Sequence, residues 1–231
     1  MNASAHRLKV VLRTKVELPY LLYLPKGRSA SARRRVPLLL FLHGGGECGN
    51  DLEKVKTHGP PRLIEREGRE FPFIVVAPQC PEGEDWRPES LLALMDAVCA
   101  AYPVDADRIY VTGLSHGGIG TWALAARYPD RFAAIAPICG PFLWLPFERL
   151  RKVPVWCFHG AMDGVVSVDD SIRMVRQLRG AGVDVRFTVY PDADHDSWTA
   201  TYANPELYDW FLTHARKPHA ARRTRHGGHD D

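Results

Sequence analysis

The spacing of apolar positions switches repeatedly between two periods along the chain. Residues 8–16 and 20–24 read as two antiparallel opening strands, followed by a polar loop over 25–35. Residues 36–42, Val-Pro-Leu-Leu-Leu-Phe-Leu, form a continuous apolar run, as expected of a central strand buried on both faces. Glycines follow at once. Residues 51–66 are mixed and predict partial helix, broken at Gly59-Pro60-Pro61. Residues 73–77 are the next buried strand. Over 88–102 the spacing turns helical, with Leu91, Leu94, Met95 and Val98 on one face. Strands are predicted at 108–112, 132–138, 153–158 and 185–190. Helices are predicted at 116–128, at 168–179 with Gly180 as the stop, and at 205–214 with Pro205 in the first turn. Strands alternating with helices imply an α/β fold, with a mostly parallel sheet covered on both faces.

Composition narrows the class. The chain has 231 residues, 45% apolar and 25% charged, which suits one single-core domain over residues 1–216. Thirty basic against 27 acidic side chains leave a net charge of +3, too small an excess to imply nucleic acid. Much of that excess sits in Arg33-Arg34-Arg35 and in a basic tail over 217–231, which contains Arg222, Arg223 and Arg225. The arginines read as a solvated loop and a frayed, disordered end, with polyanion binding as the alternative. His214, His219, His226 and His229 near the C-terminus show no structural metal-ligand spacing. Five scattered cysteines, an odd number without a C-x-x-C pair, read as reduced thiols of a cytoplasmic protein. Cys139 and Cys157 lie in apolar runs and are expected to be buried. No secretory h-region follows Met1 and no run approaches a membrane span, so no membrane partner is expected.

Chemistry enters at Gly113-Leu114-Ser115-His116-Gly117, a G-x-S-x-G sequence between a predicted strand and helix. A serine at such a turn is held in a strained backbone conformation with its hydroxyl exposed above the sheet. The rival reading is a phosphate-binding turn, but no lysine follows as a P-loop requires. A hydroxyl becomes a useful nucleophile only when a base takes its proton. His195, in a polar loop after the last strand, is the candidate base. Asp163, a short glycine-containing turn beyond the preceding strand, is the candidate acid that orients it. Asp169, Asp192, Asp194 and Asp196 compete, but the last three lie too near His195 in sequence to reach its far nitrogen easily. His43-Gly44-Gly45-Gly46-Glu47 ends the 36–42 strand, and the backbone N–H groups of Gly45 and His116 are the candidate oxyanion donors. His43 reads as a hydrogen-bonding prop and Glu47 as a brace of the same loop. Trp86, Phe142, Trp144 and Trp198 are candidate walls of the substrate cleft, with plain core packing as the alternative for each.

With these residues placed, the chain resembles the esterase branch of the α/β-hydrolase superfamily. It is similar to feruloyl-esterase-like, dienelactone-hydrolase-like and prolyl-oligopeptidase-like enzymes from about Tyr20 to His214. The likeness rests on Leu39-Leu40-Phe41-Leu42-His43-Gly44, on residues 107–115 and on Tyr128-Pro129-Asp130-Arg131-Phe132. Phe158-His159-Gly160 with Asp163, and His195-Asp196-Ser197-Trp198, complete it. One departure is His116, where many relatives carry Met or Gln. The resemblance implies a serine carboxylesterase acting through an acyl-enzyme, with no metal or organic cofactor. Its substrates would be small-molecule or polymer-linked esters. Only residues 140–152 separate the strands where lipases of this fold insert a lid, too short a stretch for one, so the resemblance implies an α/β-hydrolase fold with no cap domain and an open cleft. The base must be neutral to act, so activity should fall on acidification through the ordinary histidine range, roughly pH 6–7. A serine peptidase, a lyase or transferase on the same fold, and a non-catalytic binding homologue are the rival functions. The sequence leaves oligomeric state open.

Overall fold

The computed structural model describes residues 5–11, 13–27, 30, 34–144 and 146–216. Strands β1 (Tyr20–Tyr23), β2 (Val36–Leu42), β3 (Ile74–Pro78), β4 (Val104–Leu114), β5 (Ala134–Ile138), β6 (Val155–Gly160) and β7 (Val185–Tyr190) form one sheet, in the order β1-β3-β2-β4-β5-β6-β7. Among the described residues, only β1 is antiparallel to its neighbour, β3. The helices are α1 (Gly59–Glu67), α2 (Pro88–Ala101), α3 (His116–Arg127), α4 (Val168–Gly180), α5 (Trp198–Ala203) and α6 (Pro205–Thr213).

The unbroken apolar runs are explained by burial on both faces. Leu38, Leu40 and Leu42 of β2 point into one core with side chains from α2, α3 and α4. Leu39 and Phe41 point into the other, with side chains from α1, α5 and α6. The predicted stripe Leu91, Leu94, Met95 and Val98 is the buried face of α2. Pro37 lacks an N–H and sits badly inside a central strand. The β2–β4 register shifts between Val36 and Leu38, which accommodates it.

Four local expectations are corrected. Residues 8–16 contain no strand among those described, so β1 alone opens the sheet. Gly59-Pro60-Pro61 does not break a helix but starts α1, where prolines in the first turn forfeit no hydrogen bond. Gly180 remains inside α4, and the positive φ that ends the turn, +78°, belongs to Gly182. The loop after β7 contains a short helix, α5, that periodicity did not reveal. The 217–231 tail, with Arg222, Arg223, Arg225, His219, His226 and His229, lies outside the described residues, as does Arg33; Arg34 and Arg35 are exposed. Among the described residues no helix is long and apolar enough to cross a membrane. All five cysteines are free thiols, with Cys139 and Cys157 buried.

The chain runs from β2 outward to β3, then crosses back through α2 to β4 on the other side of β2. The C-terminal ends of β2 and β4 therefore flank a topological switch point, where an open parallel sheet leaves a crevice. His43 leaves β2 at this point and is fully buried. Its Nε2 accepts from the Cys80 N–H at 3.0 Å, so Nδ1 carries the hydrogen and donates to the Gly44 carbonyl at 2.6 Å. Burial lowers its pKa to about 4, with the nearby His116 adding to the effect.

Two consequences are measurable. On acidification the unfolded chain takes up a proton on this histidine near pH 6.5, while the folded chain resists until about pH 4. Stability should therefore fall between those values, by about 3 kcal/mol from this group. Urea melts at pH 7 and pH 4.5 should show a smaller drop for His43→Asn than for the wild type; equal drops would remove His43 as the cause. Separately, a Cβ at Gly160 would lie 2.2 Å from the Asp194 carbonyl, so the loop after β7 rests directly on the end of β6. Gly160→Ala should cost about 1–3 kcal/mol in denaturant midpoints through overpacking. A wild-type midpoint would mean that the loop yields freely.

Candidate active site

Ser115 occupies the turn between β4 and α3 with φ 51° and ψ −117°, a conformation L residues rarely adopt. The backbone around it leaves no room for side chains. A Cβ on Gly113 would lie 2.3 Å from the Gly117 carbonyl oxygen, and one on Gly117 would lie 2.1 Å from that of Leu42. One on Gly140 would meet the Ser115 carbonyl oxygen at 2.1 Å. The strain is held in place by hydrogen bonds: the Ser115 N–H donates to the Ile138 carbonyl and its own carbonyl accepts from the Ile119 N–H. Cys139, next to this contact, also has positive φ, 40°. Burial pushes its thiol up to about 12, so it remains protonated beneath the serine.

The three side chains singled out in the sequence come together here. His195 Nε2 lies 3.0 Å from Ser115 Oγ, and His195 Nδ1 lies 2.8 Å from Asp163 Oδ2. An ionised carboxylate only accepts, so Nδ1 carries the ring hydrogen and Nε2 is free to accept from the serine hydroxyl. The Asp163 side chain has no exposed surface. Burial opposes its charge, but the bond from His195 and the N–H groups of Val166 and Val165 outweigh burial and hold the carboxyl below its ordinary range. Those two N–H groups donate to Oδ1 at 2.8 and 2.9 Å, leaving Oδ2 to the imidazole. The His195 ring turns its Nδ1 to Asp163 rather than to Asp169, Asp192, Asp194 or Asp196; Asp194 and Asp196 instead accept from the backbone N–H groups of Asp196 and Thr199.

His159, on β6, supports this carboxylate and was not singled out as a functional residue by the sequence. It is fully buried, with Nε2 2.9 Å from the Val166 carbonyl and 3.1 Å from Asp163 Oδ2. Its Nδ1 faces the Ser171 hydroxyl at 2.7 Å. One neutral tautomer satisfies all three contacts, with Ser171 donating to Nδ1 and Nε2–H facing both oxygens.

The loop after β2 forms the opposite side. Gly45 begins a 3-10 turn, Gly45–Glu47, and His116 is the first residue of α3, where a helix leaves its N–H without an intrahelical partner. Gly45 and Gly46 are exposed, and a Cβ on either would meet nothing within 4 Å. The protein leaves that space open. Gly44 is the crowded position, its Cβ falling 2.7 Å from Leu114 Cδ1. Glu47 braces the loop, with Oε2 accepting from the Gly44 N–H at 3.0 Å. Its Oε1 faces His58 Nε2 at 3.7 Å. The Trp198 indole donates to His58 Nδ1 at 3.3 Å, and its ring meets the His195 ring edge-on at 5.2 Å. A continuous set of polar and ring contacts thus joins the loop after β2 to the loop carrying His195. His58 is the member sequence reading missed; its place at the N-cap of α1 is defined only by the packed loops.

Of the proposed cleft walls, Trp86 is only 5% exposed. It packs against Gly120 and donates to the His43 carbonyl, so it props the loop from within rather than lining the cleft. Phe142 is half-buried against the α3–α4 side of the core. Trp198 is half-buried beside His195, while Trp144 is exposed. Exposed apolar residues that the sequence reading passed over lie near the three clustered side chains: Ile119 one turn beyond Ser115, and Met162 and Val165 on either side of Asp163.

Comparison with known proteins places this geometry. The chain is 27% identical over 186 residues to a bifunctional acetylxylan esterase/xylanase of Neocallimastix patriciarum, covering 75% of the chain but 26% of that relative. It is 26% identical to a probable carboxylesterase of Oryza sativa subsp. japonica, covering 83% of each. A crystal structure of a thermostable esterase superposes with a TM-score of 0.72 at 33% identity, over 88% of this chain and 60% of that one. The chain thus spans about a quarter of the first relative's length. The model of the dienelactone hydrolase family matches residues 88–219, a stretch that contains Ser115, Asp163 and His195. As that match runs over more than half of the sequence, this chain belongs to the dienelactone hydrolase family, with the α/β-hydrolase fold.

Proposed function

We propose that the chain is a serine carboxylesterase. One observation carries the reading: Ser115 Oγ, the His195 ring and Asp163 Oδ2 form an unbroken hydrogen-bonded line of 3.0 and 2.8 Å. Ser115 attacks the ester carbonyl as its proton passes to His195 Nε2, and Asp163 stabilises the imidazolium. The negative oxygen is held by the N–H groups of Gly45 and His116, each worth about 3–4 kcal/mol of barrier lowering. His195 returns the proton to the leaving alcohol, and water then repeats the sequence on the acyl-enzyme. The open space above Gly45 and Gly46 gives the oxyanion room, and the exposed Ile119, Met162 and Val165 offer an apolar rim. That rim suits short acyl, aryl or feruloyl-type esters, including those linked to polymers. The esterase names of the relatives support the same class. An amide of matched structure should be cleaved far more slowly than the ester, which separates this reading from a peptidase.

Ser115→Ala should lower kcat on p-nitrophenyl acetate and butyrate by a factor on the order of 10⁶, with an unchanged melting curve. A variant as active as the wild type would sink the assignment. Asp163→Asn replaces an acceptor with a group that can favour the wrong imidazole tautomer, and kcat should fall about 10⁴-fold while KM changes little. A loss confined to KM would mean that Asp163 shapes the binding pocket instead.

A further inference from the structure

Behind the oxyanion loop lies a second group of chemically active side chains. Cys48 follows the 3-10 turn at Gly45–Glu47, Cys80 follows β3, and His116 begins α3. Their ligand atoms all lie within 4.8 Å of one another. Both cysteines are buried free thiols. The two thiols hydrogen-bond to each other, Cys48 Sγ also lies 3.9 Å from the Gly44 carbonyl, and Cys80 Sγ lies 3.3 Å from that of Glu84. His116 supplies the second, independent observation. Its Nε2 lies 3.1 Å from Asp85 Oδ1, while its Nδ1 is buried with no hydrogen-bond partner. With Nε2–H turned to the carboxylate, the buried Nδ1 keeps a bare lone pair. A carboxylate behind an imidazole fixes tautomer and orientation in the same way behind metal-bound histidines.

We propose that Cys48, Cys80 and His116 form a binding site for a thiophilic divalent cation of the zinc class, with Asp85 orienting the histidine. Two sulfurs and one imidazole nitrogen match the donor set such ions prefer, and a water completes the tetrahedron. Binding displaces one proton from each thiol. The dication and two thiolates then form an electrically neutral unit, which lessens the cost of burying the charge. A cavity of about 410 Å³ reaches the cluster at Cys80 and is lined also by Glu84, Asp85 and Trp86. The ion would tie the segment just after Gly45 to the first residue of α3, joining the two flanks of the oxyanion position. It takes no part in the ester chemistry.

The test is a Co²⁺ titration of the full chain, reduced with a phosphine and kept free of oxygen. One equivalent should bind with thiolate-to-cobalt charge transfer in the near ultraviolet and tetrahedral bands in the visible. About two protons should be released per ion near neutral pH. Zn²⁺ should displace the Co²⁺ and raise Tm by several degrees. Cys48→Ser and Cys80→Ser should each weaken the charge-transfer band, and the double variant should abolish it. Asp85 is exposed, so Asp85→Asn should fold normally and bind about 10–100-fold more weakly. Lack of the charge-transfer band in the wild-type chain overturns the proposal without recourse to any variant. So does a band that survives in the double cysteine variant, which would assign the ion to another thiolate site such as Cys139, Asp163 and His195.

Discussion

The site depends on how closely backbone can approach backbone where α3 leaves β4. With Cβ atoms absent at 113, 117 and 140, the first turn of the helix lies against the ends of β2 and β5. That contact forces Ser115 into positive φ and holds its hydroxyl above the sheet edge. A Cβ at any of these glycines would lie 2.1–2.3 Å from backbone oxygen, which must then move, in an interior packed as densely as an organic crystal. The reactive geometry is therefore stored in the packing of the core and does not depend on the serine itself.

Similar close contact fixes the other members. Gly160 lets the loop after β7 rest on the end of β6, which brings His195 over the turn that carries Asp163. His159 and two backbone N–H groups orient that carboxylate from below, so it accepts from the imidazole in one direction only. On the far side, Glu47, His58 and Trp198 link the loop after β2 to the loop that carries His195. Each half of the site is thus positioned by groups from a different sheet connection.

Charge is handled economically. Asp163 stays ionised because its hydrogen bonds outweigh burial, whereas His43 is kept neutral because burial outweighs its single supporting bond. His43 directly follows β2, and Asp163 follows β6 by a short turn. The charge of Asp163 holds the His195 ring, and His43 is an uncharged prop for the loop after β2.

Much was legible in the sequence for a simple reason. Strands buried on both faces leave unbroken apolar runs, and a strand-to-helix turn this tight admits only glycine around its serine, so the sheet and Ser115 could be read directly. Asp163 and His195 were legible because their loops follow strands in the order the chemistry needs. What the sequence did not hold was everything decided by distance between remote segments. Thr-rich Trp198–Ala203 becomes helix only because Tyr202 and Thr201 are buried, with Tyr202 reaching the Thr112 hydroxyl. Trp86 could equally have lined a cleft, and only the packed fold turned it inward beneath His43. His58 as a link, and Cys48 and Cys80 beside His116, have no local pattern at all. Local composition encodes which segments pair and pack; only the closed sheet sets which atoms from separate connections come within bonding distance.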